Sequence, residues 1–417
     1  MTKVTGLTKG PFAVSQNSLS KSNRWKTPGA CLIIMAGTAP FAFAIWMALL
    51  NNFTHEVAGF TGTEIGILQS LREVPGFLAF TAIFILLAIH EQIFAIVSLA
   101  LLGLGVAITG FFPSEYGLYF TTVIMSVGFH YFETVQMSLS LQWLPKETAP
   151  RAMGQQISAR SVASILAYAL LWAALEFFNV PYAALYAVGG GVTLALVAFI
   201  WLYFPKFEHA EPQHKKIILR KRYWLFYALT FMGGARRQIF VVFAGFLLVT
   251  KFGYSAAEIS GLYLLNHIVT SWLAPKLGSL ISQFGERNAL VFEYIGLILV
   301  FLGYAVTQDP TTAAALYVLD HLFFSFAIAQ KSYLQKIADP RDIAATSSVS
   351  FSINHIAAVI IPWAFGAFLW AQSPAWVFYA GAAMALVSLV LSLNVPRKPD
   401  VGNEVVLGRI TVLAPAE

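Results

Sequence analysis

The segment Gly59-Phe60-Thr61-Gly62-Thr63-Glu64-Ile65-Gly66-Ile67-Leu68-Gln69-Ser70-Leu71-Arg72-Glu73-Val74-Pro75 decides the fold. Thr61 has the chemistry of a helix cap, and Glu64, three residues on, can reach back to the cap's own backbone N–H. An apolar helix follows and carries two ionisable residues, Arg72 and Glu73, deep inside it. The same plan recurs at Gly253-Tyr254-Ser255-Ala256-Ala257-Glu258, where Ser255 and Glu258 form the box and Asn266-His267 stand where Arg72-Glu73 stood. The offset is 258 − 64 = 194, and 267 − 73 gives the same value. That is close to half of the 417 residues, so the chain reads as two related halves, each with a polar pair sunk in its second apolar helix.

Composition names the solvent. The chain is 58% hydrophobic and 11% charged, against about 25% charged in an ordinary soluble domain. Its apolar runs match the roughly 20 residues that cross a bilayer as a helix. They are not the alternating ten-residue runs of an outer-membrane barrel. Helices also satisfy the backbone within lipid. The fold class is therefore an all-α integral membrane protein. The single cysteine, Cys31, lies in the first apolar run, so no disulfide forms within the chain. The first 27 residues are rich in Ser and Lys and carry no acid. This reads as a basic cytoplasmic tail, and an organelle transit peptide has a similar composition.

Twelve spans are predicted, at 28–50, 62–88, 93–112, 116–143, 152–178, 181–204, 223–249, 256–282, 288–307, 312–336, 344–371 and 374–394. The predicted organisation is a tail (1–27), a six-helix bundle (28–204), a basic linker (205–222), a second six-helix bundle (223–394) and a second tail (395–417). The linker holds His209, His214, Lys215, Lys216, Arg220, Lys221 and Arg222. With both termini cytoplasmic, the inner segments collect nearly all the basic residues, among them Lys3, Lys9, Lys21, Arg24, Lys146, Arg151, Lys276, Arg287, Arg341 and Arg409. The outer loops keep only Lys251. That asymmetry sets the orientation, and it makes the net charge of +6 an inner-face anchor, not a nucleic-acid patch. The expected location is the bacterial inner membrane, as a multi-pass protein.

The repeat continues beyond the opening motif. Leu141-Gln142 matches Leu334-Gln335 at an offset of 193, so six helices are duplicated in the same orientation. Two six-helix halves joined by a basic linker resemble the major facilitator superfamily. The stretch Gly278 to Arg287, with Gly285 and Glu286, is similar to that family's loop signature between its second and third helices, and Arg151 to Gly154 also resembles the family. Ser282 replaces the usual acid, and the first-half loop is only His90-Glu91-Gln92 with no basic residue. The resemblance implies a gating role for Gly278, Gly285 and Arg287. It also implies that helices 3, 6, 9 and 12 are peripheral and the others line a central cavity. Spans 3, 6 and 12 contain no ionisable residue, and span 9 has only Glu293, near its inner end.

Buried charges are the most informative feature. Each costs roughly 2.5–3.5 kcal/mol near the bilayer centre, so Arg72, Arg160, Arg236 and Arg237 together cost on the order of 10 kcal/mol unless they meet partners or water. Gln156, Arg160, Ser164 and Tyr168 stand four apart on one helix face; His130, Glu133, Gln136 and Ser140 form a second stripe, and Ser347, Ser350 and Asn354 a third. Such stripes are either helix–helix hydrogen-bond seams or a pathway. Arg72-Glu73 serves either to hold the first half together or to bind. Because successive helical residues diverge by about 100°, only one of Arg236 and Arg237 can face the cavity. His267, His321 and His355 read as packed hydrogen-bonding groups, as proton carriers, or with Asp320 as metal ligands. No helix carries two histidines at ligand spacing, so no metal is expected.

The expected function is secondary active transport of a small solute by alternating access. Several arginines set against few free acids point to an organic anion or zwitterion. Substrate contacts are expected from Arg72, Arg160, Arg236, Arg237, Gln156, Asn266 and Asn354, with Arg72, Arg160 and Arg236 foremost. A coupling proton is expected on Glu73, Glu133, His130, His267, Asp320, His321 or His355. Partners are the solute, protons and the lipid bilayer; no cofactor and no nucleic acid is expected, and the chain is expected to act as a monomer. The alternative is proton-driven efflux of drugs or lipophilic cations, which the aromatic content and buried Glu133 and Asp320 would serve. A membrane enzyme or receptor is the third class. The sequence has no nucleotide or nucleophile motif, so an enzyme is not expected.

Overall fold

Both capping boxes form in the computed structural model, which describes residues 25–86, 88–144, 149–207, 219–339 and 343–408. Lys3, Lys9, Lys21, Arg24, Lys146, His209, His214, Lys215, Lys216, Arg341 and Arg409 lie outside the described residues, and Arg151, Gly278, Ser282 and Ser347 lie outside the described side chains. The Glu64 carboxylate accepts from the Thr61 backbone N–H at 2.8 Å, and Glu258 accepts from the Ser255 N–H at 2.8 Å. Each box satisfies amide donors that a helix end leaves open.

Among the described residues the helices string into twelve rods. The first half comprises α1 (Pro28–Asn52, ending in a π turn at Phe53–Val57), α2 (Gly62–Phe77, then a 3-10 turn at Leu78–Thr81 and Ala82–Ile85) and α3 (Glu91–Thr109). It continues with α4 (Glu115–Trp143), α5 (Ala149–Phe178) and α6 (Tyr182–Tyr203). The second half opens with α7 (Trp224–Gln238, a π stretch at Ile239–Ala244, then Gly245–Phe252), α8 (Ala256–Phe284) and α9 (Glu286–Val306). It ends with α10 (Pro310–Phe323, a 3-10 turn at Phe324–Phe326, then Ala327–Ile337), α11 (Ile343–Ala364 with a π stretch at Phe365–Trp370) and α12 (Pro374–Leu393). Nine rods are long and apolar enough to cross a membrane. The other three, α2, α4 and α8, carry Arg72-Glu73, His130 with Glu133, and Asn266-His267, and are comparable in length but more polar.

Within the halves, α3 packs on α4 and α6, α1 on α5, and α9 on α12. Between the halves, α2 packs on α11 and α5 on α8, two contacts related by the internal repeat. Glycines let the first seam close: a Cβ on Gly66 would lie 2.3 Å from the Pro362 carbonyl oxygen, and one on Gly366 2.2 Å from that of Gly62. At the second seam the Tyr168 and Tyr263 rings stack with centroids 5.1 Å apart. The face opposite the chain termini is pinned further by Asn52, whose Nδ2 donates to the Tyr254 carbonyl at 2.9 Å, and by the His55 and Phe246 rings. Among the described residues, cross-half hydrogen bonds and ring contacts lie at mid-depth or toward this far face. On the terminal face, Gly285 (φ 82°) ends α8, and Glu286 binds Lys336 at 2.6 Å and Ser332 at 2.7 Å, tying α9 to α10. The Tyr333 hydroxyl donates to the Glu404 carbonyl, which holds the segment after α12 against α10.

Candidate functional site

Four polar clusters occupy the middle of the bundle. The first centres on Glu73. Its Oε1 binds Arg72 of the same helix, while its Oε2 lies 3.6 Å from Arg237 Nη2 of α7 and 3.6 Å from His355 Nε2 of α11. His130 of α4 completes the group, its ring centroid 5.2 Å from that of His355. One carboxylate on the first half thus faces a guanidinium and an imidazole of the second. Two arginines share one acid here, which leaves the group with an excess positive charge. A Cβ on Gly76 would fall 2.2 Å from His355 Cδ2 and 2.7 Å from His130 Cδ2, so a glycine one turn below Arg72 is what admits both rings.

The second cluster lies within the second half. Arg236 Nη2 binds Glu293 Oε1 of α9 at 3.0 Å, both side chains being almost wholly buried. Asp320 of α10 is fully buried close by, and neither of its carboxylate oxygens has a hydrogen-bond partner. This is the reverse imbalance, one cation beside two acids. The third cluster lies within the first half. Arg160 Nη2 binds Glu133 Oε1 at 2.6 Å and Arg160 Nη1 reaches Gln136 Oε1 at 3.3 Å. Gln156 Oε1 then accepts from Gln136 at 3.2 Å and from Ser140 at 3.0 Å. The α4 and α5 stripes therefore face each other and form a seam. Arg160 and Glu133 remain 32% and 26% exposed, on the terminal side of the far-face pins.

The fourth cluster is the central cavity, ≈ 230 Å³. Its walls are aromatic: Phe43, Tyr168, Phe240, Tyr263 and Phe324, with Met47 and Val241. Its polar groups are Arg237, His267 and His321. The Arg237 side chain is 36% exposed, yet its Nε and Nη2 are buried without a hydrogen-bond partner. The His267 and His321 ring centroids are 6.1 Å apart. Arg72 borders the cavity through Met47, its Nη1 being 3.7 Å from Sδ.

Several expectations change on this geometry. Arg236, expected among the foremost substrate contacts, faces α9 and is taken up by Glu293; its neighbour Arg237 lines the cavity instead. Arg160 and Gln156 are engaged in the α4–α5 seam. Asn266 is fully buried with neither amide atom partnered, and it does not line the cavity. Asn354 packs on α7, where a Cβ at Gly234 would touch its backbone. The three second-half histidines do not form one group: His267 and His321 stand at the cavity, whereas His355 joins His130 and Glu73. The acids are also not few, since the four arginines inside the bundle face Glu73, Glu133, Glu293 and Asp320. Glu293 is a site residue not expected from the sequence, because it lies near the inner end of a helix expected to be peripheral. Its isolation as the one acid of the span 288–307 was the available signal.

Residues 27–362 match the family described as Major Facilitator Superfamily. No curated protein matches the chain. Among solved structures, the chain is similar to an aspartate-to-alanine mutant of the nucleoside transporter NupG (TM-score 0.73, 15% identity, 88% of this chain and 99% of that one). It is also similar to NupG itself (TM-score 0.69, 16% identity, 88% and 98%). A bacterial homologue of the human lysosomal transporter Spinster, inward-facing and occupied, is similar too (TM-score 0.67, 13% identity, 88% and 95%). At these identities the likeness shows the fold.

Proposed function

The chain belongs to the major facilitator superfamily, and from that membership we propose that this multi-pass membrane transporter carries a small organic anion or zwitterion by alternating access, coupled to protons. The observation that carries the substrate class is Arg237. Its guanidinium lines the central cavity with no hydrogen bond at Nε or Nη2, and its ion pair, 3.6 Å long, is to a carboxylate that Arg72 already occupies. A substrate carboxylate or phosphate would supply the missing acceptor and cancel the excess positive charge. The aromatic walls suit an apolar or ring-bearing body, and the cavity limits its size. NupG, a nucleoside transporter by title, makes ring-bearing solutes worth including among candidates. The same walls favour the second reading, export of a lipophilic cation, which an under-neutralised Arg237 opposes.

The coupling proton is assigned to Asp320, which shares one arginine with Glu293 and has no hydrogen-bond donor of its own. We assign the bundles to 28–204 and 223–394 with the linker at 205–222, both termini cytoplasmic in a bacterial inner membrane, and the protein acting as a monomer. The distribution of basic residues supports that orientation. The pinned far face then corresponds to an inward-facing state. Transport in proteoliposomes tests both assignments. Truncating one partner of a buried charge pair costs about 2–5 kcal/mol, so Arg237→Ala is expected to weaken anion binding about thirtyfold or more. Asp320→Asn is expected to keep solute exchange while losing the response to a pH gradient. Unchanged anion binding in Arg237→Ala removes the substrate assignment.

A further inference from the structure

We propose that Glu73, His130 and His355 form a binding site for a divalent transition-metal ion of the imidazole-preferring kind, such as Zn2+, and that the bound ion ties the two halves together. One donor atom from each of the three lies within 4.8 Å of the others, and all three side chains are buried. Each histidine has its Nδ1 against the carbonyl of the residue four positions earlier: His130 against Ser126 at 3.0 Å, His355 against Phe351 at 2.8 Å. A carbonyl only accepts, and the Ser126 hydroxyl near His130 Nδ1 already gives its proton to the Arg72 carbonyl, so Nδ1 carries the proton in both rings and in the neutral imidazole Nε2 is left as the lone-pair donor. That outer hydrogen bond is how metal-binding histidines are commonly held in one tautomer and one orientation. The third ligand is prepared independently. Arg72 takes only Oε1 of Glu73, and Oε2 is buried with no hydrogen-bond partner.

The distances fit a small ion. Tetrahedral ligands at ~2.1 Å from zinc are about 3.4 Å apart, and His355 Nε2 and Glu73 Oε2 are already 3.6 Å apart. Two imidazoles and a carboxylate suit Zn2+ or Fe2+ over Mg2+ or Ca2+, which prefer all-oxygen shells. The charges around the site set a limit. Arg72 and Arg237 both compete for the Glu73 carboxylate, so the ion must displace the longer of the two contacts, the 3.6 Å approach of Arg237. That side chain borders the cavity, which gives it room to withdraw and gives the ion a path in. Glu73 and His130 lie in the first half and His355 in the second. An ion held by all three opposes the separation of α2 from α11 that alternating access requires, so occupancy inhibits. The three ligands do not line the cavity, and the site shares only Arg237 with the proposed substrate contact.

The test uses the purified full-length protein, freed of any polyhistidine tag, with Zn2+ titrated against a chromophoric chelator. The wild type is expected to bind one ion per chain. His130→Gln and His355→Gln are each expected to weaken it at least about tenfold, given that even outer-sphere changes cost 10–100-fold. Ligation needs neutral imidazoles, so binding is expected to weaken from pH 7.5 to pH 5.5. Should a variant fail to fold, Co2+ bound to the wild type gives the visible absorption of a nitrogen- and oxygen-ligated tetrahedral site. Zinc binding that survives both substitutions unchanged overturns the proposal, as does a wild type that binds neither ion.

Discussion

At the level of single residues, neighbours on α7 do different work because a helix turns about 100° per residue. Arg236 is enclosed with Glu293, and Arg237 reaches the cavity. Removing one partner of a buried pair costs about 3–5 kcal/mol because the other charge is stranded. Arg236→Met is therefore expected to lower the melting temperature sharply, and Arg236→Met combined with Glu293→Leu to recover much of the loss. Arg237→Ala, whose side chain already meets open space, is expected to melt closer to the wild type. A thermal scan of the three variants checks this, and a lower melting point for Arg237→Ala than for Arg236→Met contradicts it. That one arginine would face inward was legible from helical geometry; which one was not. Deciding it requires knowing that α9 lies behind α7, a contact more than fifty residues away in sequence. The same holds for His355. Its depth on α11 was readable, but its partners His130 and Glu73 belong to the other half and meet it only through the α2–α11 seam.

Among the elements, local signals transferred best. Thr61 with Glu64 and Ser255 with Glu258 are four-residue patterns whose hydrogen bonds need no tertiary context, and both boxes form. Irregular backbone was harder to foresee. The π stretch Ile239–Ala244 follows Arg236, Arg237 and Gln238 directly, and the 3-10 turn Phe324–Phe326 follows Asp320 and His321 closely. Non-helical backbone inside a membrane is tolerated where protein or a cavity surrounds it, and π turns gather at functional sites. Neither interruption has a proline or glycine within it to announce it. The glycines at the α2–α11 seam act through close approach. Gly66→Val places a branched side chain where even a Cβ would lie 2.3 Å from the Pro362 oxygen, so the seam must part. Cys31 is buried and is the sole cysteine, so a Met47→Cys variant can report access to the cavity. Thiol labelling of that position from the far face is expected to rise several-fold when Gly66→Val is added. Unchanged labelling shows that the seam is not what closes this face.

For the whole molecule, the two halves meet along α2–α11 and α5–α8 and line a small aromatic cavity between them. The repeat offset of 194, the length of the apolar runs and the separation of polar from apolar helices made this architecture legible. The assignment of charges to clusters was not, because the counts balance over the molecule while the clusters do not. Two arginines share Glu73 in the middle, and Arg236 lies beside two acids in the second half. The excess positive charge beside the cavity is what supports the anionic substrate we propose. A ligand that binds the folded protein alone raises its melting temperature. The deciding measurement is thermal stabilisation of the wild type and Arg237→Ala by a panel of mono- and dicarboxylates, sugar phosphates, nucleosides, amino acids and lipophilic cations at pH 5.5 and pH 8. Stabilisation of the wild type by one class of organic anion, absent in Arg237→Ala, is the expected result. Stabilisation by lipophilic cations alone, or by anions equally in both proteins, contradicts the anion assignment.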